Sequence, residues 1–130
     1  MPRAIRCITA LLLVFTVSCG PELVVGRNPG MERDTIVGKD SFTVGEPVAI
    51  LLKNAVFRDS LLELAIFSVT KEGKTVPVQT VRLPAIDPAL DWLHIPEGLF
   101  SLPFPGRYRI TISQLGEVIA EKTVTVREGP

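Results

Sequence analysis

From Asp34 onward, apolar side chains fall at every second position, and that period points to strands and away from a helical domain. Val48, Ile50 and Leu52 share one face, with Ala49 and Lys53 on the other. Leu62, Leu64 and Ile66 repeat the pattern opposite Glu63, and Tyr108, Ile110 and Ile112 alternate with Arg107, Arg109, Thr111 and Ser113. Turn signals separate these runs: Gly45-Glu46-Pro47 after Phe42 and Val44, then Lys71-Glu72-Gly73-Lys74, then Gln114-Leu115-Gly116-Glu117. Val76 and Val78 hold one phase, and Val81 and Leu83 hold the other. A shift by one residue predicts a bulge or corner, and Pro77 predicts an edge position. Val118, Ala120, Val124 and Val126 form a last strand, interrupted by Lys122 beside Glu121, charges suited to an edge that must not pair with another molecule. Seven or so short strands and no convincing helical run predict an all-β fold, a single antiparallel β-sandwich.

The residues before Asp34 differ in kind. Gly20, Pro21, Gly26 and Asn28-Pro29-Gly30 with mixed charge read as a tether over residues 19–33, leaving 34–130 as the sandwich. A flexible coil of this length holds a domain on the order of 20 Å from its anchor. Leu23-Val24-Val25 is too apolar for a pure linker, which leaves open a short strand docked on the domain. With 14 basic and 14 acidic residues interspersed along it, the chain has no electrostatic footprint for nucleic acid and no polybasic patch for lipid headgroups.

Two resemblances follow. Gly45-Glu46-Pro47-Val48 opening one strand, and Pro105-Gly106-Arg107-Tyr108-Arg109-Ile110 opening a late one, resemble immunoglobulin-like or fibronectin type III-like sandwiches. That likeness implies a tyrosine corner at Tyr108, its hydroxyl bonded to nearby backbone. The Gly45-Glu46-Pro47-Val48 strand opening is also similar to macroglobulin-type domains and to a bacterial sandwich family of proteinase inhibitors. The second resemblance concerns residues 1–18. Arg3 and Arg6 precede the apolar run Cys7–Ser18, and Cys19 follows directly. This basic, apolar, small-residue order is that of an export signal, and Thr16-Val17-Ser18-Cys19-Gly20 resembles the lipobox of bacterial lipoproteins, with Thr16 where that family usually has Leu. The resemblance implies cleavage between Ser18 and Cys19, diacylglycerol and a fatty acyl chain such as palmitate on Cys19, and a place in the cell envelope, with Gly20 pointing to the outer membrane. An ordinary secretory signal remains the alternative. It leaves Cys19 as an unpaired thiol in an exported product, since Cys7 lies inside the signal. A spanning helix is disfavoured, because Cys7–Pro21 is shorter than the ~20 apolar residues that crossing requires.

Little in the domain carries chemistry. His94 is the only histidine, no serine lies in a nucleophile elbow, and Gly98, Gly106 and Gly116 are isolated turn glycines rather than a phosphate loop. Asp87, Asp91 and His94 match no metal-ligand spacing, so neither a metal, a cofactor nor an enzyme activity is expected. The proline-rich segment from Pro84 to Pro105 is the most irregular, with Asp87-Pro88 suited to cap one helical turn through Leu93. It reads in two ways: as a binding loop offering Trp92 and His94 to a partner, or as a crossover in which Trp92 and the phenylalanines plug the sandwich. Carbohydrate stacking on Trp92 calls for a second exposed aromatic beside it. The expectation is a monomeric, membrane-anchored binding or structural module with an envelope protein as partner, or alternatively an inhibitor presenting its end loops to a protease.

Overall fold

The computed structural model describes residues 20–129 except 31, 59 and 85. Among them are nine strands and one 3-10 turn: β1 (Glu22–Arg27), the turn Arg33–Thr35, β2 (Val37–Gly38), β3 (Ser41–Thr43), β4 (Pro47–Lys53), β5 (Leu62–Val69), β6 (Thr75–Leu83), β7 (Leu93–Ser101), β8 (Gly106–Gln114) and β9 (Glu117–Arg127). They form two sheets, ordered β2-β1-β4-β7 and β3-β9-β8-β5-β6. Every pairing is antiparallel except β3 with β9, where Phe42 lies opposite Val126. The fold is an immunoglobulin-like β-sandwich, with the two shortest strands accounting for the excess over seven.

The alternation dictates the core. Val48, Ile50 and Leu52 of β4 meet Leu62, Leu64 and Ile66 of β5 and Tyr108, Ile110 and Ile112 of β8, all buried in one cluster with Phe42, Val124 and Val126. Each such side chain contributes about 1.5–3 kcal/mol by leaving water. Register shifts fall where the phase changes. Gln79 faces Ile66 and Pro77 faces Phe67, so Val78 is the extra residue of a bulge on β6, which lies at the sheet edge as Pro77 requires. On β9, Ala120 faces Ile112 and Val118 faces Ser113. Ile119 is thereby the extra residue, packed partly against the core, and Val118 turns out to solvent instead of sharing the face of Ala120.

The tyrosine corner forms as the resemblance implies. Tyr108 is 3% exposed, and its hydroxyl donates to the Phe104 carbonyl at 2.8 Å while accepting from the Phe104 amide at 3.2 Å. Lys122 reaches Asp40 at 2.9 Å beyond β9, and Arg109 and Glu121 pair across β8 and β9.

Two expectations are corrected. Residues 19–33 are not a tether as a whole: Glu22–Arg27 is an interior strand, paired with β4 from Glu22–Lys53 to Gly26–Ala49 and with β2 through Gly26 and Arg27. Leu23 and Val25 are buried in the core because β1 completes one layer of the sandwich. Gly26 is obligatory there, since a Cβ on it would lie 1.8 Å from the Val37 carbonyl oxygen. Nor is Pro84–Pro105 irregular throughout. β7 runs through it, disguised by a bulge in which Pro96, Glu97, Gly98 and Leu99 stand opposite Ala49 alone, between the pairs Ile50–Ile95 and Val48–Phe100. Pro96 is tolerated because β7 is an edge strand.

Candidate binding cleft

β6 ends one sheet and β7 ends the other, so the sandwich is open on that side. The connection between them supplies no strand to close it. Asp87 Oδ1 accepts from the Ala89 amide at 2.9 Å, and the Leu90 amide donates to the Asp87 carbonyl at 2.9 Å. Asp87 therefore caps a turn, but no helical turn continues to Leu93, which already opens β7. What remains is a cleft of about 380 Å³ whose walls include Val81 and Leu83 of β6, Ile86 of the connection, and Leu93, Ile95 and Leu99 of β7. His94 also lines it.

The two residues expected to offer themselves to a partner are both engaged. Trp92 is half-buried, and the Arg33 guanidinium sits 4.1 Å from its ring centroid. It neither plugs the core nor lies open to a sugar. His94 Nε2 lies 3.0 Å from Asn28 Nδ2. The same Asn28 amide nitrogen donates to the Glu32 carbonyl at 2.7 Å, and Asn28 Oδ1 accepts from the Thr35 hydroxyl. Because a carbonyl can only accept, this fixes the amide orientation, and His94 Nε2 is the acceptor of the remaining N–H. Asn28 is fully buried, with every polar atom of its side chain bonded. It holds Glu32 and Thr35 near His94 of β7, and Ala49 and Leu51, opposite in phase to the core residues of β4, are buried as well.

The β7 bulge completes the arrangement. Glu97 Oε2 accepts from Arg27 Nε and from the Asn28 backbone N–H, each at 2.6 Å. Arg27 Nη1 extends the chain to Glu46 at 3.1 Å, and Lys39 Nζ meets the same carboxylate at 2.6 Å. Burial alone raises the Glu46 carboxyl, but hydrogen bonds from Lys39, the Thr43 amide and Arg27 outweigh it and hold the group at about 2. Arg27 and the Asn28 amide hold Glu97 below the ordinary carboxylate range too. The network ties β1, the β7 bulge and the β3–β4 turn together.

The Asp87 carboxylate caps the turn, and Asp91, also exposed, accepts from the Ala55 amide through its main-chain carbonyl at 3.0 Å. No cluster of three or more metal-ligating side chains occurs among the described residues, and no helix there is long and apolar enough to cross a membrane. The expected cleavage site Ser18–Cys19 lies outside the described residues. Asn28 and Glu97 were missed in the sequence. Asn28 stands in a turn-like Asn-Pro-Gly, and Glu97 in a Pro-Glu-Gly that resembles loop; the one available signal was the apolar Leu23-Val24-Val25 just before them.

No family model matches the chain, and no curated protein does. Among solved structures, the Pseudomonas fluorescens alkylpurine DNA glycosylase AlkC, bound to DNA containing an abasic site analog, is similar at 17% identity and a TM-score of 0.36. The match covers 81% of this chain and 30% of that one.

Proposed function

We propose that the chain is a lipid-anchored lipoprotein of the bacterial cell envelope whose sandwich binds an extended segment of an envelope protein along β6. The cleft beside an unpaired strand edge carries this reading. The outer edge of β6 has no strand partner among the described residues, and Val81 and Leu83 turn into the cleft. A peptide added to that edge gains main-chain hydrogen bonds and sends alternate side chains into an apolar slot. A small apolar molecule would use the slot and leave the edge unused. The anchor is supported by the order Arg3, Arg6, Cys7–Ser18 and Cys19.

Both halves are testable on the full chain. A clickable fatty acid should label the wild type and not Cys19→Ser. Panning of a displayed library of linear peptides should enrich sequences with apolar residues at alternate positions. Their binding should fall at least tenfold on Val81→Asp and stay unchanged on Glu72→Ala, at the far hairpin. Enriched peptides indifferent to Val81→Asp would remove the cleft from the function.

A further inference from the structure

The position of β1 has a consequence for how such a protein meets its membrane. With β1 starting at Glu22, only Gly20 and Pro21 separate the sandwich from Cys19. Two residues span about 7 Å at most, far less than the reach of a long tether. Glu22 pairs with Lys53, so the chain enters the sandwich at the end where β4 finishes. That end also carries the 54–61 connection, the β6–β7 connection and the β8–β9 hairpin, since Leu62 faces both Leu83 and Gln114. Gln114 ties the sheets together there, donating to the Val56 carbonyl at 3.1 Å and accepting from the Arg58 amide at 2.8 Å.

The loops at this end are apolar at their tips. Leu115 is 63% exposed, Leu61 58% and Val56 55%, and Leu90 of the β6–β7 connection is exposed too. Leu115 is unusual in a second respect. It has φ 54° and Gly116 has φ 77°, the two left-handed residues of a tight hairpin. Asn, Asp or Gly suits the first of these positions, and a bulky side chain is strained there. The β5–β6 hairpin at the opposite end has one left-handed residue, Gly73 (φ 84°), among Lys71, Glu72 and Lys74, and the β7–β8 connection at that end exposes Phe104. Beside Leu61 and Leu115 lies a hollow of about 400 Å³ lined also by Arg82 and by Ser60, whose buried hydroxyl finds no partner among the described residues. The Arg82 guanidinium in its wall, opposite Glu63, suits the polar headgroup region that such apolar tips would border.

We infer that the Leu61–Leu115 end is a second, non-covalent membrane contact: the domain stands end-on on the bilayer, with Leu115 and Leu61 inserted at the interface and the Lys71–Lys74 hairpin pointing away. The inference rests on the lipid anchor at Cys19 for its starting point. Its test uses the full chain, purified after fatty-acid labelling and reconstituted in phosphatidylethanolamine–phosphatidylglycerol vesicles with dibrominated acyl chains. A bimane probe is attached to Leu115→Cys, Leu61→Cys or Glu72→Cys. Bromolipid quenching at 115 and 61 should exceed that at 72 at least threefold. Quenching at 115 no greater than at 72, in protein that carries the fatty acid, overturns the end-on contact and leaves the anchor standing. Protein without fatty acid overturns both, and the two failures are read in the same sample.

Discussion

The β5-β8-β9 region and the N-terminal segment 22–36 bury comparable side chains, yet one announces itself in the sequence and the other does not. In β5 and β8 one face meets the core, so Leu62, Leu64, Ile66 and Tyr108, Ile110, Ile112 recur at every second position, with exposed Glu63, Arg107 and Arg109 on the other face, where only Ala65 and Thr111 are buried. β1 is flanked by β2 and β4, and on it Leu23, Val25 and Gly26 are buried and Val24 is half-buried. With Val24 between Leu23 and Val25 and Gly26 after them, no polar residue interrupts the run and the alternation vanishes. A strand covered on both faces loses the periodic signal that marks a half-buried one.

The largest effect should come from cutting the chain where the alternation begins. Residues 34–130 lack β1, which leaves the β4 edge unpaired and removes Leu23 and Val25 from the core. This fragment should show no cooperative urea transition and no near-ultraviolet dichroism, whereas residues 20–130 show both. A cooperative 34–130 would mean that β1 is merely docked, and the comparison above would collapse. Next comes the corner. Tyr108→Ala removes a buried ring and its bonds to Phe104, at about 3–5 kcal/mol. Tyr108→Phe leaves a buried acceptor unsatisfied at about 1–3 kcal/mol. Urea midpoints unchanged in both variants would strip the legible region of its anchor point.

Acid should separate the two regions further. Glu46 titrates at about 2 when folded against an ordinary 4.5, so the stability it contributes is complete above about pH 4.5 and is lost as the pH falls toward 2. Glu97, also lowered, acts in the same direction. The urea midpoint should fall across this window, and Glu46→Gln should flatten the profile. An equally steep profile in that variant would place the acid sensitivity outside the β1–β7 network. The smallest effect is a gain. Leu115→Asn relieves a left-handed position at a solvent-exposed tip and should stabilise the domain by about 0.5–1 kcal/mol. A loss of stability would mean that Leu115 has packing the present geometry does not require.

The candidate site was half legible for the same physical reasons. Trp92 and His94 stood out as lone residues of their type in a proline-rich stretch, but nothing local says that Arg33 covers one and Asn28 holds the other, from about sixty residues away. β7 was hidden because four bulged residues against one of β4 erase any period, although Ile95 and Phe100 do reach the core. The cleft is a gap between the edge strands of two sheets, and a gap has no residues of its own to carry a pattern.

The sequence alone determined the sandwich, its hairpins, the edge character of β6 and the inward ring of Tyr108, because alternation, turn chemistry and proline geometry act within a few neighbouring residues. Only the tertiary structure decided that the domain begins at Glu22 rather than Asp34, that β6 and β7 leave a cleft between them, and that the apolar tips of Leu61 and Leu115 meet at the end where the chain enters. Those outcomes depend on which strands become neighbours, and that choice is made by the summed burial of side chains remote in sequence.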